Sequence, residues 1–268
     1  MANAARSHAG DPQGVTTDDP VVQVRDICKN YGEIEALRGI DLEFQRGKLT
    51  TLLGPSGCGK TTLLKIIAGL VPATSGEVRI NGRAVTGPGP ERAFVFQDFA
   101  LMPWATVQRN VAFGLELKGM ALAERNRIAK RYIEQVGLSG FEEKYPHELS
   151  GGMRQRVGIA RAFAVNADVL LLDEPFSAVD EQNRRKFQED LLRLVELEKK
   201  TFIFVTHSIE EAVYVSDRIV LLSPRPGRIS RIIDPMTDRT ASPDEIRRDP
   251  RYLDVVEEIW QGLRQYAE

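Results

Sequence analysis

The chain has 268 residues, of which 42% are hydrophobic and 28% are charged, so it can bury the core of one large α/β domain or of a domain with a subdomain. Its formal net charge of −2 lacks the basic surplus of a general nucleic-acid binder, and we expect no nucleic-acid partner. The two cysteines, Cys28 and Cys58, form no CxxC pair, and no apolar stretch approaches the roughly 20 residues that span a bilayer.

The chain opens with a polar segment and continues with strand-like patterns. Residues 1–20 are small and polar without a hydrophobic segment, which predicts a disordered tail and not a signal peptide. Alternating apolar and polar residues follow in VVQVRDICKNYG (21–32), and GEVRINGRAV (76–85) contains the hairpin dipeptide Asn81-Gly82. Both patterns favour an antiparallel β edge.

Five later runs are mostly apolar, as expected for strands that are buried on both faces. They are LTTLL (49–53), AFVFQ (93–97), DVLLLD (168–173), TFIFVTH (201–207) and RIVLLS (218–223). Helical patterns separate them, which is typical of a largely parallel sheet wrapped by helices. We therefore expect an α/β fold.

Strand signals stop between about Thr106 and Lys144. Two segments there place apolar residues at helical spacing, and Gly137 is a suitable helix end. This pattern predicts an all-helical insert between two strands of the sheet. Beyond Pro224 the sequence predicts a short strand and a last amphipathic helix, YLDVVEEIWQGLRQY (252–266).

The segment GPSGCGKTT matches G-x-x-x-x-G-K-[ST] and lies between a predicted strand and a predicted helix. Glycines let successive backbone N–H groups point at phosphate oxygens, and the helix N-terminus adds partial positive charge. Lys60 suits the β- and γ-phosphates, and the Thr61 hydroxyl suits Mg²⁺. The expected nucleotide-binding residues of this loop are Gly54, Pro55, Ser56, Gly57, Cys58, Gly59, Lys60, Thr61 and Thr62.

Polar residues follow the carboxyl ends of the buried runs, which meet at the ligand crevice of an open parallel sheet. Asp173 suits a site beside Mg²⁺, and the alternative role for this residue is that of a buried acid that caps a turn. Glu174 suits the orientation of the attacking water, and its alternative is a solvated acid before Pro175. Gln97 could bind the metal or water, and His207 could donate to the γ-phosphate, although either alone could be structural.

A second anion site is predicted in LSGGMRQR (149–156). Met153, Val157 and the alanines that follow mark a buried helical face, so Ser150 and the two glycines Gly151 and Gly152 form the entrance to a helix. Free N–H groups, a hydroxyl and the helix dipole there favour an anion.

These motifs, in this order, resemble the nucleotide-binding subunit of ATP-binding-cassette (ABC) transporters. The resemblance covers Val21 to about Arg225 and includes SAVD, which ends in Asp180. It implies a P-loop NTPase (RecA-like) fold with a mostly parallel sheet, an antiparallel β edge and an inserted helical subdomain. The implied domains are an ATPase domain at 21–225 with the helical subdomain at about 98–150, followed by an extension at 226–268.

The resemblance also implies cofactors, roles and a dimer. The cofactors are ATP, favoured over GTP because no N-K-x-D is present, and Mg²⁺. Tyr31 would stack on adenine, and Ser150, Gly151, Gly152 and Asp180 would act on ATP across a head-to-tail pair of identical subunits. The implied catalytic residues are Lys60, Gln97, Glu174 and His207, and the implied metal ligands are Thr61, Gln97 and Asp173.

The segment QDFALMPWATVQRNVAFGL resembles the importer branch for nitrate, taurine and aliphatic sulfonates. Its Leu101-Met102-Pro103-Trp104 is close to the Leu-Pro-Trp of that branch but not identical to it. This implies uptake of an oxyanion or organosulfonate through separate permease subunits, indirectly with an extracytoplasmic solute-binding protein, at the cytoplasmic face of the membrane. The alternatives are an importer of another small organic solute, an ABC ATPase acting on DNA or ribosomes, and a module that senses ATP without hydrolysing it.

Overall fold

A computed structural model of the protein describes residues 20–235 and 243–264. The predicted tail therefore falls almost wholly outside the described residues, as do residues 236–242 and 265–268 of the extension. Within the described ranges the strands are β1 (Pro20–Tyr31), β2 (Ile34–Gln45), β3 (Leu49–Leu53), β4 (Ser75–Ile80), β5 (Arg83–Ala84), β6 (Arg92–Val95), β7 (Val169–Asp173), β8 (Thr201–Thr206), β9 (Arg218–Leu222) and β10 (Ile229–Ile233).

The helices carry most of the chain between the later strands. They are α1 (Lys60–Ile67), α2 (Val107–Leu117), α3 (Leu122–Gln135), α4 (Gly151–Ala164), α5 (Glu181–Glu198), α6 (Ile209–Val215), α7 (Pro243–Arg248) and α8 (Pro250–Arg264), with a 3-10 helix at Pro146–Glu148. No helix in the described ranges has the length and apolar character needed to cross a membrane.

The central sheet has the order β10-β9-β3-β8-β7-β6, and all its pairs are parallel except β10 with β9. Every residue of β3 and β8 is buried. Alternate side chains enter two different hydrophobic clusters, with Leu53 and Phe204 in one and Leu52 and Ile203 in the other. A strand that is covered on both faces is mostly apolar, which explains the long apolar runs, and the polar positions of β3 and β8 are buried threonines. The predicted α/β fold is confirmed.

The antiparallel strands form a separate sheet in the order β2-β1-β4-β5. Asn81 and Gly82 form the predicted tight turn between β4 and β5, and both have positive φ, at 48° and 74°. The inner face of this sheet, which includes Ile27 and Ile40, shares a hydrophobic cluster with Leu64 of α1. This packing holds the end of β1 beside the loop that precedes α1.

Helices α2 to α4 occupy the segment between β6 and β7. At the end of α3, Gly137 has φ 71° and donates its N–H to the Glu134 carbonyl at 2.9 Å, so the predicted helix end is confirmed. Strand β6 stops at Val95, two residues before the predicted end. Beyond this strand the chain turns at Phe99 and Ala100, which both adopt left-handed conformations, with φ 61° and 46°. Gln97 therefore lies in a loop.

Candidate functional site

The phosphate loop joins β3 to α1, as the sequence predicts. Gly57 and Gly59 have φ 77° and 101°, a region that side chains with a Cβ rarely adopt. A Cβ on Gly59 would also lie 2.6 Å from Cδ2 of Leu37, so the loop could not approach the antiparallel sheet with a larger residue. The glycines therefore allow the tight curl of the loop.

Lys60 and Cys58 form the inner side of this loop. The Lys60 ammonium donates to the carbonyls of Gly54 at 2.7 Å and Pro55 at 3.0 Å, and it lies 3.8 Å from Sγ of Cys58. Burial raises the pKa of the Cys58 thiol, although the charge of Lys60 opposes the shift. Cys58 thus remains a neutral packing residue, and Lys60 is a buried charge that the loop carbonyls hold in place.

Thr61 and Asp173 meet across the gap between the loop and the end of β7. The Thr61 hydroxyl donates to Oδ1 of Asp173 at 2.8 Å. Asp173 is only 3% exposed, and burial raises the pKa of its carboxyl, while the Thr61 hydrogen bond and the Lys65 charge oppose the shift. A poorly solvated carboxylate beside a hydroxyl is a donor set that fits Mg²⁺. In the described ranges no three His, Cys, Asp or Glu residues cluster as a metal site, so this set needs further oxygens from the nucleotide and water.

Glu174 connects Gln97 and His207. Its Oε2 accepts from Nε2 of Gln97 at 3.3 Å and lies 3.4 Å from Nδ1 of His207. Its backbone adopts φ 46°, and its N–H donates to the Val205 carbonyl at 3.0 Å. A non-glycine residue in this conformation costs about 1–2 kcal/mol. The neighbouring strand thus holds the strained backbone of Glu174, and the carboxylate of this residue lies between Gln97 and His207.

An open cleft of about 370 Å³ lies along the phosphate loop. It is lined by Tyr31, Ile34, Ala36, Ser56, Gly57, Gly59, Lys60, Thr61, Thr62, Glu174 and Arg225. The Tyr31 side chain reaches this cleft from the end of β1 and is 47% exposed. The ammonium of Lys29 lies 4.8 Å from the ring centroid of Tyr31, so one face of the ring is partly covered and the other can take a planar base.

The remaining predicted residues reach the cleft indirectly or not at all. Gln97, Asp173 and His207 contact Glu174 or Thr61, which line it. Gly54, Pro55 and Cys58 lie behind Lys60. Ser150, Gly151, Gly152 and Asp180 are not among its lining residues.

Those four residues lie at two adjoining helix starts. Ser150 is the N-cap of α4 and accepts from Met153 N–H at 3.3 Å, which confirms the predicted helix entrance. Its own hydroxyl proton remains able to donate to an anion. Asp180 is the N-cap of α5, and hydrogen bonds from Asn183 lower the pKa of its carboxyl. A Cβ on Gly151 would lie 3.1 Å from the Ala178 carbonyl, so close packing is one reason for this glycine.

A comparison with protein-family models gives a match over residues 37–177 to the family described as ABC transporter. The chain belongs to the ABC transporter family. It is 55% identical over 204 residues to an ABC transporter ATP-binding protein of Methanocaldococcus jannaschii, with 76% of each chain covered. It is 49% identical over 209 residues to the taurine import ATP-binding protein TauB of Escherichia coli, covering 78% of this chain and 82% of TauB.

Two solved structures of a bacterial ABC transporter cassette are also similar to this ABC protein. A dimeric form has a TM-score of 0.73 at 33% identity, covering 80% of this chain and 98% of the cassette. A post-hydrolysis form bound to ADP and phosphate has a TM-score of 0.72 at the same identity and coverage. The protein is an ABC ATPase, with ATP as its nucleotide and Mg²⁺ as the accompanying ion.

Two features beside the site of this ABC ATPase escaped the sequence reasoning. Arg225 lines the cleft from the turn between β9 and β10, within SPRPGRI (223–229), a segment that resembles the same importer branch but was given no part in the site. Glu211 lies in the first turn of α6, close after His207 in the chain. Its carboxylate accepts from the Thr206 hydroxyl at 2.5 Å and lies 4.0 Å from Nε of Arg184. Burial raises the pKa of Glu211. Glu211 follows Glu210 in the first turn of α6, and neither acid gives a sequence signal that would have indicated this contact.

Proposed function

We propose that the protein is the ATP-hydrolysing subunit of an importer and that ATP-driven pairing of two copies is coupled to uptake of a small solute. The observation that carries the proposal is the contact set around Glu174, which brings Gln97, His207 and the phosphate loop to one cleft. TauB, which is 49% identical to this chain, is named as a taurine import ATP-binding protein.

The proposed chemistry assigns one task to each side chain. Tyr31 stacks on adenine, and the loop from Gly54 to Thr62 binds the phosphates, with the Lys60 charge directed to the β- and γ-phosphates. Glu174 orients the attacking water, and His207 donates to the γ-phosphate. Thr61, Gln97 and Asp173 would hold Mg²⁺, which neutralises charge on the phosphate oxygens.

A twin subunit supplies the second anion site. Ser150, Gly151 and Gly152 lie away from the cleft of their own chain, yet α4 presents free N–H groups and a hydroxyl at its start. We propose that these groups close over the γ-phosphate held by the partner, with Asp180 beside them. The dimeric cassette of similar fold supports this pairing. Loss of the γ-phosphate would remove the anion that both subunits share, so the pair would open.

The permease would bind the helical subdomain at about 98–150, which we propose as an inserted unit of the domain at 21–225. Trp104 is 74% exposed, although the loop that carries it is fixed. The Asn110 side chain accepts from Met102 N–H at 2.9 Å and donates to the Ala105 carbonyl at 3.0 Å. A large exposed aromatic on a fixed loop suits an interface.

The proposed location is the cytoplasmic face of the membrane, where separate permease subunits would hold the protein and an extracytoplasmic solute-binding protein would deliver the cargo. Similarity to TauB favours an oxyanion or organosulfonate as that cargo. An importer of another organic solute is the next candidate, because cargo is chosen by the permease and the binding protein.

Co-purification from membranes tests this function. The W104A variant should lose most of its association with the membrane permease that co-purifies with the wild type and keep the ATPase activity of the isolated subunit. The control is W260A, which removes another exposed tryptophan, 46% exposed on α8. Wild-type protein that recovers ribosomes or DNA instead of a permease, or equal loss with both variants, would contradict the proposal.

A further inference from the structure

The turn between β9 and β10, residues 223–228 (SPRPGR), forms one border of the nucleotide cleft. None of the motifs described above assigns it a role. Its Arg225 is exposed and lines the cleft together with Tyr31 and the phosphate loop. The turn therefore places a charged side chain where the nucleotide is expected.

Backbone contacts on two sides fix this turn. Gly227 donates its N–H to the Ala36 carbonyl at 3.0 Å, and its own carbonyl accepts from Arg38 N–H at 3.0 Å. On the other side it lies against the phosphate loop, where a Cβ on Gly227 would be 2.0 Å from the Cys58 carbonyl oxygen. Only glycine fits between β2 and the loop, so the turn holds Arg225 at a constant position beside the phosphate site.

The Arg225 guanidinium is available for a ligand. In the part of the chain that the structure describes, its hydrogen bond is a long one, from Nη2 to the Gly57 carbonyl at 3.4 Å. Guanidinium has five N–H donors, so most of them can still bind an anion. Lys60, by contrast, is buried and already bonded to two carbonyls. Arg225 and Lys60 are the cations among the cleft's lining residues, and Glu174 is its carboxylate.

We propose that Arg225 is a nucleotide-binding residue whose guanidinium donates to the phosphate chain of ATP and ADP. A planar guanidinium matches two phosphate oxygens at once, and hydrogen bonds between charged groups are stronger than neutral ones. The proposal rests on the nucleotide cleft described above and adds a contact from outside the phosphate loop. Because the side chain is exposed, its contribution should weaken as salt screens it.

Calorimetric titration of Mg²⁺–ATP and Mg²⁺–ADP into the purified chain tests this assignment. We expect R225A to bind both nucleotides about 10-fold more weakly, a size typical of one hydrogen bond between charged groups. R225A should also show a smaller dependence of Kd on salt than the wild type. R225K keeps the charge without the fork and should lie between the two.

The matched control is R228A, which removes the same charge from the same turn at an exposed residue outside the cleft lining. It should bind like the wild type. Unchanged affinity in R225A, or an equal loss in R228A, would overturn the assignment. The titration needs neither permease nor transport, so a negative result would leave the proposed uptake function standing, and failure of uptake would leave the Arg225 contact standing.

Discussion

Replacing Glu174 with glutamine tests the chemical step most directly. The amide has nearly the size of the carboxylate, and its oxygen can still accept from Gln97 or lie beside His207, which are 3.3 and 3.4 Å from Oε2 in the wild type. The strained backbone at φ 46° belongs to the turn and should remain. The variant therefore removes negative charge and basicity while it leaves the shape of the cleft in place.

We expect the kcat for ATP hydrolysis to fall about 10²–10³-fold, which corresponds to about 2.7–4 kcal/mol and is typical of losing one positioned polar group. Affinity for ATP should change little, because Lys60 and the phosphate loop provide the charge and the N–H donors. With hydrolysis blocked and binding intact, the variant should accumulate as an ATP-held dimer.

Phosphate release, ATP titration and light scattering measure these three quantities. The control is E134Q, the same change at an exposed glutamate of α3, and it should keep wild-type turnover. A kcat for E174Q within a few-fold of the wild type would refute the role of Glu174 as the group that orients water. A strictly monomeric profile in the presence of ATP would refute the pairing of two copies.

The remaining predictions concern Asp173 and the shared site. Because burial raises the folded-state pKa of Asp173 above the ordinary value of 3.8, the carboxyl favours folding when protonated, and the free energy of unfolding should fall as pH rises from 3.8 through the folded-state pKa. D173N imitates the protonated form, so thermal unfolding at pH 7 without nucleotide should show a higher Tm than the wild type, with hydrolysis lost; a lower Tm would contradict this. K60A and S150R should each be inactive as pure variants, yet their mixture should recover phosphate release, because one composite site then carries both changes and the other carries neither. A mixture as inactive as its components would show that the anion sites are not shared.

The sequence predicted the central sheet well because a strand that is buried on both faces is mostly apolar and lacks the alternation of a half-exposed strand. The strand ends at Asp173 and Glu174 and the curl at Gly59 followed from similarly local signals. The pairing of β1 with β4 was less predictable, since a register shift between Arg25 and Cys28 interrupts it. Arg225 was missed because only the close approach of Gly227 to Cys58 brings its turn to the cleft.

The contact between Gly151 and Ala178 limits how this protein can vary. The Cβ of a side chain at position 151 would lie 3.1 Å from the Ala178 carbonyl oxygen and would therefore displace the segment that ends at Asp180. Every residue at position 178 carries this carbonyl, so no substitution there can relieve the contact. Random mutagenesis that selects for activity should therefore recover few changes at 151, whatever stands at 178.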